Sequence, residues 1–271
     1  MIEFLKSGFL VDPQNYMTLL AIFSLAIFPA CAWIIEKLAA RGLLPNPLVM
    51  LLAIIYLTCM LTYPIVMIQW IGSRALSASF LMLFTVSIFL KLTSFHHVCY
   101  DNRYLIKRIK QTEKATDGLA TFFNVNERTF SIALQYPNNL DLWHYLRFLL
   151  APTCCYQYIY PTTPNIRMGY LFKRVMELML TCAFMFYLIE QHMLQIAKDS
   201  IIHFRERDYL QITLSTLHMA VPASYLWLAF FYFLFHSWLN FLAELTQFAD
   251  RRFYSDWWNA GNLGEYWRKW N

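Results

Sequence analysis

Apolar residues run through this chain in long unbroken blocks rather than in the short alternations of a soluble fold. Tyr16 to Ile35 contains no charged residue, and neither does Gly42 to Ser73, where Pro45-Asn46-Pro47 marks a turn before the apolar part begins. Ala75 to Tyr100 contains a single charge, Lys91, and Tyr209 to Ala243 contains none. A helix that crosses a bilayer needs roughly 20 apolar residues, because each residue rises about 1.5 Å against about 30 Å of hydrocarbon. Gly169 to Met193 is a weaker block, with Glu177 and Glu190 bracketing its apolar centre and Lys173, Arg174 and Glu177 able to snorkel or to face a bundle interior. The pattern predicts five spans, at about 16–38, 48–71, 74–98, 171–193 and 213–243. The last is too long for one perpendicular crossing, so it tilts or continues past the surface, with Pro222 as a kink site. The predicted fold class is all-α, a polytopic transmembrane helical bundle.

Composition agrees with the pattern. The chain has 271 residues, 58% hydrophobic, 18% aromatic and 14% charged, whereas a soluble domain carries roughly 25% charged residues. A chain this apolar is not a disordered segment, a collagen or a small disulfide scaffold. Charge collects in the connections. Asp101 to Arg147 holds seven basic and five acidic residues, which reads as a solvated loop, not as a nucleic-acid surface. The expected layout is a single domain with a cytoplasmic loop at 99–168 and a cytoplasmic segment at 244–271.

Five spans place alternate connections on opposite faces. The face holding the N-terminus, Gly72–Arg74 and Ala197–Asp208 carries Lys6, Arg74, Lys198, Arg205 and Arg207, and the other face carries the remaining 17 of 22 basic residues. Positive-inside bias puts the C-terminal tail in the cytoplasm. Met1 to Asp12 lacks the basic region, apolar core and small-residue cleavage site of a signal peptide. An earlier span is therefore expected upstream.

Chemistry-bearing residues are sparse. Cys31, Cys59, Cys99, Cys154, Cys155 and Cys182 contain no C-x-x-C pair and read as free thiols. The seven histidines show no H-x-x-x-H or H-E-x-x-H spacing, so no metal site is expected. His236 lies within an apolar block and reads as a neutral imidazole bonded to a neighbouring helix rather than as a base. The tail stands out, because four of nine tryptophans fall in the last 15 residues. Aromatic and basic residues of this kind suit a membrane interface. They also suit stacking on an adenine ring beside Arg251, Arg252, Arg268 and Lys269, which can meet phosphates.

Phe253-Tyr254-Ser255-Asp256-Trp257-Trp258-Asn259 resembles the F-Y-x-D-W-W-N signature of the sterol and diacylglycerol branch of the membrane-bound O-acyltransferase superfamily. Leu10-Val11-Asp12-Pro13, Tyr136-Pro137-Asn138-Asn139-Leu140, Phe148 to Tyr156, Pro161 to Arg167, Ala220-Val221-Pro222 and Phe230 to Ser237 look like the diacylglycerol members in the same order. The resemblance implies transfer of a fatty acyl group from acyl-CoA to the hydroxyl of diacylglycerol, in the endoplasmic reticulum membrane, with acyl-CoA as co-substrate and no cofactor. It implies that Phe253, Tyr254, Asp256, Trp257, Trp258 and Asn259 face acyl-CoA, that Asn271 is the counterpart of a supporting active-site Asn, and that the protein is a homo-oligomer. Asp256 is expected to pair with Arg251 or Arg252, or to cap a helix.

The family's catalytic His is followed by Glu, and none of the seven histidines here is. His236 is followed by Ser and matches a different position. The chain is thus expected to be an internal portion of a longer enzyme and to be inactive by itself. A sterol acceptor and a non-catalytic acyl-CoA-binding membrane protein are the alternatives. A channel or transporter has no ladder of intramembrane charges or broken-helix pair to support it.

Overall fold

The computed structural model describes residues 13–111 and 135–270. Its chain forms two compact units, Met1–Ile159 and Tyr160–Asn271. Among the described residues every regular element is helical, apart from one isolated bridge, Thr162 with Phe248. Four helical stretches are long and apolar enough to cross a membrane: Pro13–Ala40, Asn46–Ile71, Ser77–Lys107 and Tyr209–Leu245. Many of their large apolar side chains are exposed, such as Leu20, Leu51, Ile65 and Leu217. That surface requires hydrocarbon as its solvent, and the protein is a multi-pass membrane protein. The fifth block, expected at 171–193, is helical but is not one of these four.

In the first unit, α1 (Pro13–Ser24) and α2 (Ile27–Ala40) form one broken span. Pro29 explains the break, because it has no N–H to continue the ladder and is tolerated only in the first turn of α2. Gly42 ends α2 at φ +77°, where Leu43 N–H reaches Leu38 O at 3.1 Å and Gly42 N–H reaches Ala39 O at 3.0 Å. That left-handed cap needs a residue without Cβ. Helix α3 (Asn46–Ile71) opens on Pro47 and closes on Gly72, also left-handed at φ +68°. Helix α4 runs from Ala75 to Gln111, well past the end expected near 98.

The reason for that extension is a buried ionic cluster. Glu36 of α2 is fully buried. It accepts from His96 Nδ1 at 2.5 Å and from Arg103, whose Nε donates to Asn46 Oδ1 at 3.0 Å. Tyr56 of α3 hydrogen-bonds the other ring nitrogen of His96. Arg103 looks like a loop charge in sequence, but it turns inward onto a carboxylate and lets the helix continue. At the opposite end, Thr18 Oγ1 meets Ser73 Oγ at 2.7 Å and Ser77 donates to Asn15 Oδ1 at 2.6 Å. Between these polar ends, Ala21, Leu25 and Leu81 form an apolar core with Tyr63, Met67 and Ile71 against it. The short helix α5 (Leu142–Leu150) is capped by Asp141, which accepts from Trp143 N at 3.1 Å and His144 N at 3.3 Å. It lies inside the stretch expected to be a loop.

The second unit begins with a helical run of three parts: α6 (Met168–Leu188), a π-helical turn at Ile189–Met193, and α7 (Leu194–Glu206). Asp208 caps α8 (Tyr209–Phe231), accepting from Gln211 N at 3.2 Å. Pro222 is accommodated inside α8. A second π-helical segment, Tyr232–Trp238, leads into α9 (Leu239–Leu245). Helix α6 packs on α8, on this second π segment and on α9. Two of its charges pair, with Arg174 Nη1 on Glu177 Oε2 at 2.6 Å. A π-helical segment widens the backbone ladder, and such segments cluster at functional sites.

Candidate functional site

The tail of the second unit is held by a buried carboxylate. Glu244, in the last turn of α9, is fully buried. Its Oε1 accepts from Arg167 N at 2.6 Å and Arg167 Nε at 3.2 Å, and its Oε2 accepts from Arg167 Nη2 at 2.9 Å and Arg251 Nη1 at 2.5 Å. Both guanidinium groups lie over the Tyr170 ring, at 4.7 and 5.6 Å from its centroid. Thr163 N–H donates to Gln247 O at 3.0 Å and Ala249 N–H to Pro161 O at 2.9 Å. One stretch, 161–167, thus fastens the chain on both sides of the 244–251 turn. This fixes where the following segment, 253–259, leaves the membrane helix.

That segment then folds back on α8. Tyr254 Oη meets His236 Nδ1 at 2.6 Å, and the imidazole stacks on Tyr232 at 4.7 Å between centroids and 23° between planes. The partner of His236 is therefore the tail, not a neighbouring helix. Asn240 holds the same turn, donating to His236 O at 2.7 Å and accepting from Tyr170 at 3.1 Å. Trp257 opens a 3-10 turn, Trp257–Asn259, and stands edge-on to Phe231 at 5.4 Å, Tyr266 at 5.9 Å and Trp270 at 5.0 Å. Trp270 stacks in turn on Phe231 at 5.8 Å and Trp227 at 6.4 Å. Pairs of this kind each add about 0.5–1.5 kcal/mol beyond their buried area.

The last helix, α10 (Leu263–Trp270), supplies two of those rings. Asn262 caps it, accepting from Glu265 N at 2.8 Å, while Glu265 Oε2 accepts from Gly261 N at 2.8 Å. Lys269 then bridges Glu265 at 3.1 Å and Asp256 at 3.2 Å. The bond from Lys269 holds the Asp256 carboxyl below its usual range, and the Gly261 N–H followed by Lys269 does the same for Glu265. Lys269 is raised, chiefly by Glu265 and also by Asp256. Asp256 does not pair with Arg251 or Arg252, and its side chain does not cap the 3-10 turn. Arg251 belongs to Glu244 because that carboxylate is buried and reaches it first.

Between α8 and the tail lies a cavity of about 440 Å³, lined by Ala223, Ser224, Trp227, Leu228, Trp257, Tyr266 and Trp270. Its size suits a slender apolar or amide-bearing ligand. Trp257 Nε1–H is buried and has no acceptor among the described residues. Of the residues expected at the site, Trp257 lines the cavity and Tyr254 braces the wall behind it. Trp258 is exposed, tilted against Tyr254 at 5.9 Å and edge-on to Trp257 at 5.6 Å. Asn259 is exposed, and its backbone carbonyl receives Lys269 Nζ at 3.4 Å. Phe253 is half-buried. Asn271 lies outside the described residues. Sequence reasoning placed Trp270 in the aromatic tail without assigning it to this cavity, and missed Trp227 and Phe231. The signal for Trp227 and Phe231 was present, since Ala223, Trp227 and Phe231 recur every four residues along one face of α8.

Residues 46–271 match the membrane-bound O-acyltransferase family. The chain is 39% identical over 270 residues to diacylglycerol O-acyltransferase 1B of Glycine max, covering 98% of this chain and 51% of that protein. It is 36% identical over 271 residues to diacylglycerol O-acyltransferase 1 of Bos taurus and 34% identical over 267 residues to that of Homo sapiens, covering 98% of this chain and 53% of each. The chain spans about half the length of the curated relatives it matches. On the family match across more than half its length and on these identities, the chain belongs to the membrane-bound O-acyltransferase family.

Proposed function

We propose that this protein works in acyl-CoA:diacylglycerol O-acyl transfer, with the 253–270 tail and α8 receiving the acyl-CoA. The observation that carries the reading is the aromatic cavity behind the F-Y-x-D-W-W-N segment, in a chain whose relatives are named diacylglycerol O-acyltransferases. In the reaction, the glyceride hydroxyl oxygen bonds to the thioester carbonyl carbon, the C–S bond breaks, and CoA leaves with the proton the hydroxyl gives up. A base is needed to take that proton, and a donor is needed for the carbonyl oxygen as charge builds on it. The residues seen here do the work before chemistry. Glu244 and His236 fix the tail against the membrane helix, and the Trp227, Trp257 and Trp270 rings exclude water from the thioester arm. Trp257 Nε1–H offers a donor to a carbonyl in that arm.

The reading includes a cytoplasmic tail, since CoA is water-soluble, an endoplasmic reticulum membrane, and a homo-oligomer. Diacylglycerol is preferred over sterol as acceptor because the Tyr136 and Cys154-Cys155-Tyr156 regions look like the diacylglycerol members. The 271 residues alone bind acyl-CoA without transferring it, since the His expected as base is followed by Glu and none here is. The experiment is acceptor competition. Membranes expressing the full reading frame receive labelled acyl-CoA with diacylglycerol and cholesterol together. Label in triacylglycerol supports the reading, and label in steryl ester or in free fatty acid refutes it. The 271-residue chain in the same membranes leaves the acyl-CoA intact.

A further inference from the structure

Helix α5 and the turn after it sit where a solvated loop does not belong. Lys91 is the one charge in the apolar part of α4, seventeen residues beyond Arg74 at the α3–α4 turn. At about 1.5 Å per residue that places it about 26 Å along the helix, short of the roughly 30 Å that hydrocarbon occupies. Its ammonium donates to three backbone carbonyls of the α5 end: Phe148 O at 2.9 Å, Ala151 O at 2.7 Å and Thr153 O at 2.8 Å. It also lies 4.9 Å from the Phe148 ring centroid. Tyr145 of α5 donates to Pro29 O of α2 at 2.9 Å. Pro29 is eleven residues beyond Thr18, which hydrogen-bonds the same α3–α4 turn, so it lies about 16 Å into the membrane from that side. Tyr145 and Tyr156 pack on Phe95 of α4, at 4.6 and 4.9 Å from that ring, and buried Phe148 stands edge-on to Tyr156 at 5.0 Å.

These contacts set the depth of α5 by its partners. Carbonyls at a helix end are unsatisfied and cannot face lipid, so irregular backbone survives at such depth only when protein groups bond it. The Lys91 ammonium, with three donors, is matched to three carbonyls. The opposite face of α5 then carries Leu142, Trp143, Leu146 and Leu150, exposed by 39–79%. Spaced at i, i+1, i+4 and i+8, they form one apolar stripe. A helix apolar on two sides, seated beside membrane spans, calls for hydrocarbon on its outer side.

We infer that residues 141–158 form a re-entrant segment pinned to α4 by Lys91 and to α2 by Tyr145, with Leu142, Trp143, Leu146 and Leu150 set against lipid acyl chains. The contacts of Lys91 and Tyr145 hold this stripe at hydrocarbon depth, and the bilayer is its one occupant. It also alters the layout expected from sequence, since 141–158 then leaves the connection expected to be aqueous.

The test uses p-benzoylphenylalanine, which needs no change to the native cysteines. It is placed singly at Leu146 or Leu150, at Leu51 on the exposed side of α3 as a lipid-facing control, and at exposed Arg205 as an aqueous control. The full chain is reconstituted in phosphatidylcholine vesicles whose acyl chains carry tritium, then irradiated. Tritium on the protein at 146 and 150 within about twofold of position 51, and about tenfold above position 205, is the expected result. Lys91→Met is expected to lower labelling at 146 severalfold while leaving position 51 unchanged. Labelling at 146 and 150 as low as at 205 overturns the inference. So does a protein–protein cross-link in place of lipid, which shows that a second copy or another segment covers the stripe. Neither outcome bears on acyl-CoA binding by the tail.

Discussion

Replacing Glu244 with Gln removes one negative charge and almost no volume, and the structure sets the size of the effect. The carboxylate is fully buried and accepts four hydrogen bonds, three from Arg167 and one from Arg251. Arg167 is 59% exposed, so solvent screens its side-chain pair and the loss there is small. Its backbone N–H keeps an oxygen acceptor in the amide. Arg251 is only 16% exposed, and its charge-assisted bond at 2.5 Å is replaced by a neutral one or by an N–H facing an N–H. Hydrogen bonds to charged groups contribute about 1.5–3 kcal/mol, and Arg251 carries almost all of the loss. At roughly 2–4 °C per kcal/mol, thermal unfolding in detergent shifts down by about 3–12 °C. The control is Glu206→Gln at an exposed site, which shifts little. The tail should also lose acyl-CoA affinity, because Arg251 sets the exit of the 253–259 segment. An E244Q protein that melts within a degree of the parent would refute the reasoning, since it would mean that the Arg–Glu–Arg arrangement is not what holds the turn.

Other consequences can be checked in parallel. Tyr254→Phe removes the bond to His236 and should weaken acyl-CoA binding severalfold, with a loss of about 1 kcal/mol in folding; equal binding by both proteins in a fluorescence titration contradicts the bracing role. Asn262→Ala should fray α10 at a cost of about 1 kcal/mol, seen as faster amide exchange over 263–270 and nowhere else. The Asp256 and Glu265 carboxyls are both held below their usual values, so their contribution is complete above the normal carboxylate range and disappears as pH falls through their lowered values. Tryptophan emission from the tail should therefore be constant from pH 8 to about pH 5 and shift only at lower pH. The Asp256→Asn protein should show a smaller acid shift; an unchanged one would count against the Lys269 bridge.

The apolar blocks made most of the helices legible, because hydrocarbon thickness sets a minimum length that charge-free runs reveal directly. Boundaries were harder. Arg103 resembled a loop charge until Glu36, 67 positions away, turned out to be its partner. No local pattern encodes such a pairing. Helix α5 hid within a charged stretch for a similar reason, since its anchor, Lys91, lies on another helix. At the site, the F-Y-x-D-W-W-N residues were visible as a motif, but their division of labour was not. Tyr254 proved to be a brace because His236 stands one π turn into the membrane helix, and Asp256 took Lys269 because α10 folds back over it. Trp227 and Phe231 were camouflaged by a helix that is apolar on every side, where a functional stripe and a lipid-facing one look alike.

The most direct measurement is a titration of the 271-residue chain, in nanodiscs, with a non-hydrolysable thioether analogue of a long-chain acyl-CoA, followed by calorimetry. The account predicts saturable one-site binding that free CoA alone matches only weakly. It also predicts that Trp257→Ala and Trp227→Ala each weaken the binding about tenfold while Trp143→Ala, on α5, leaves it unchanged. Absence of saturable binding, or equal affinity in all three variants, would contradict it.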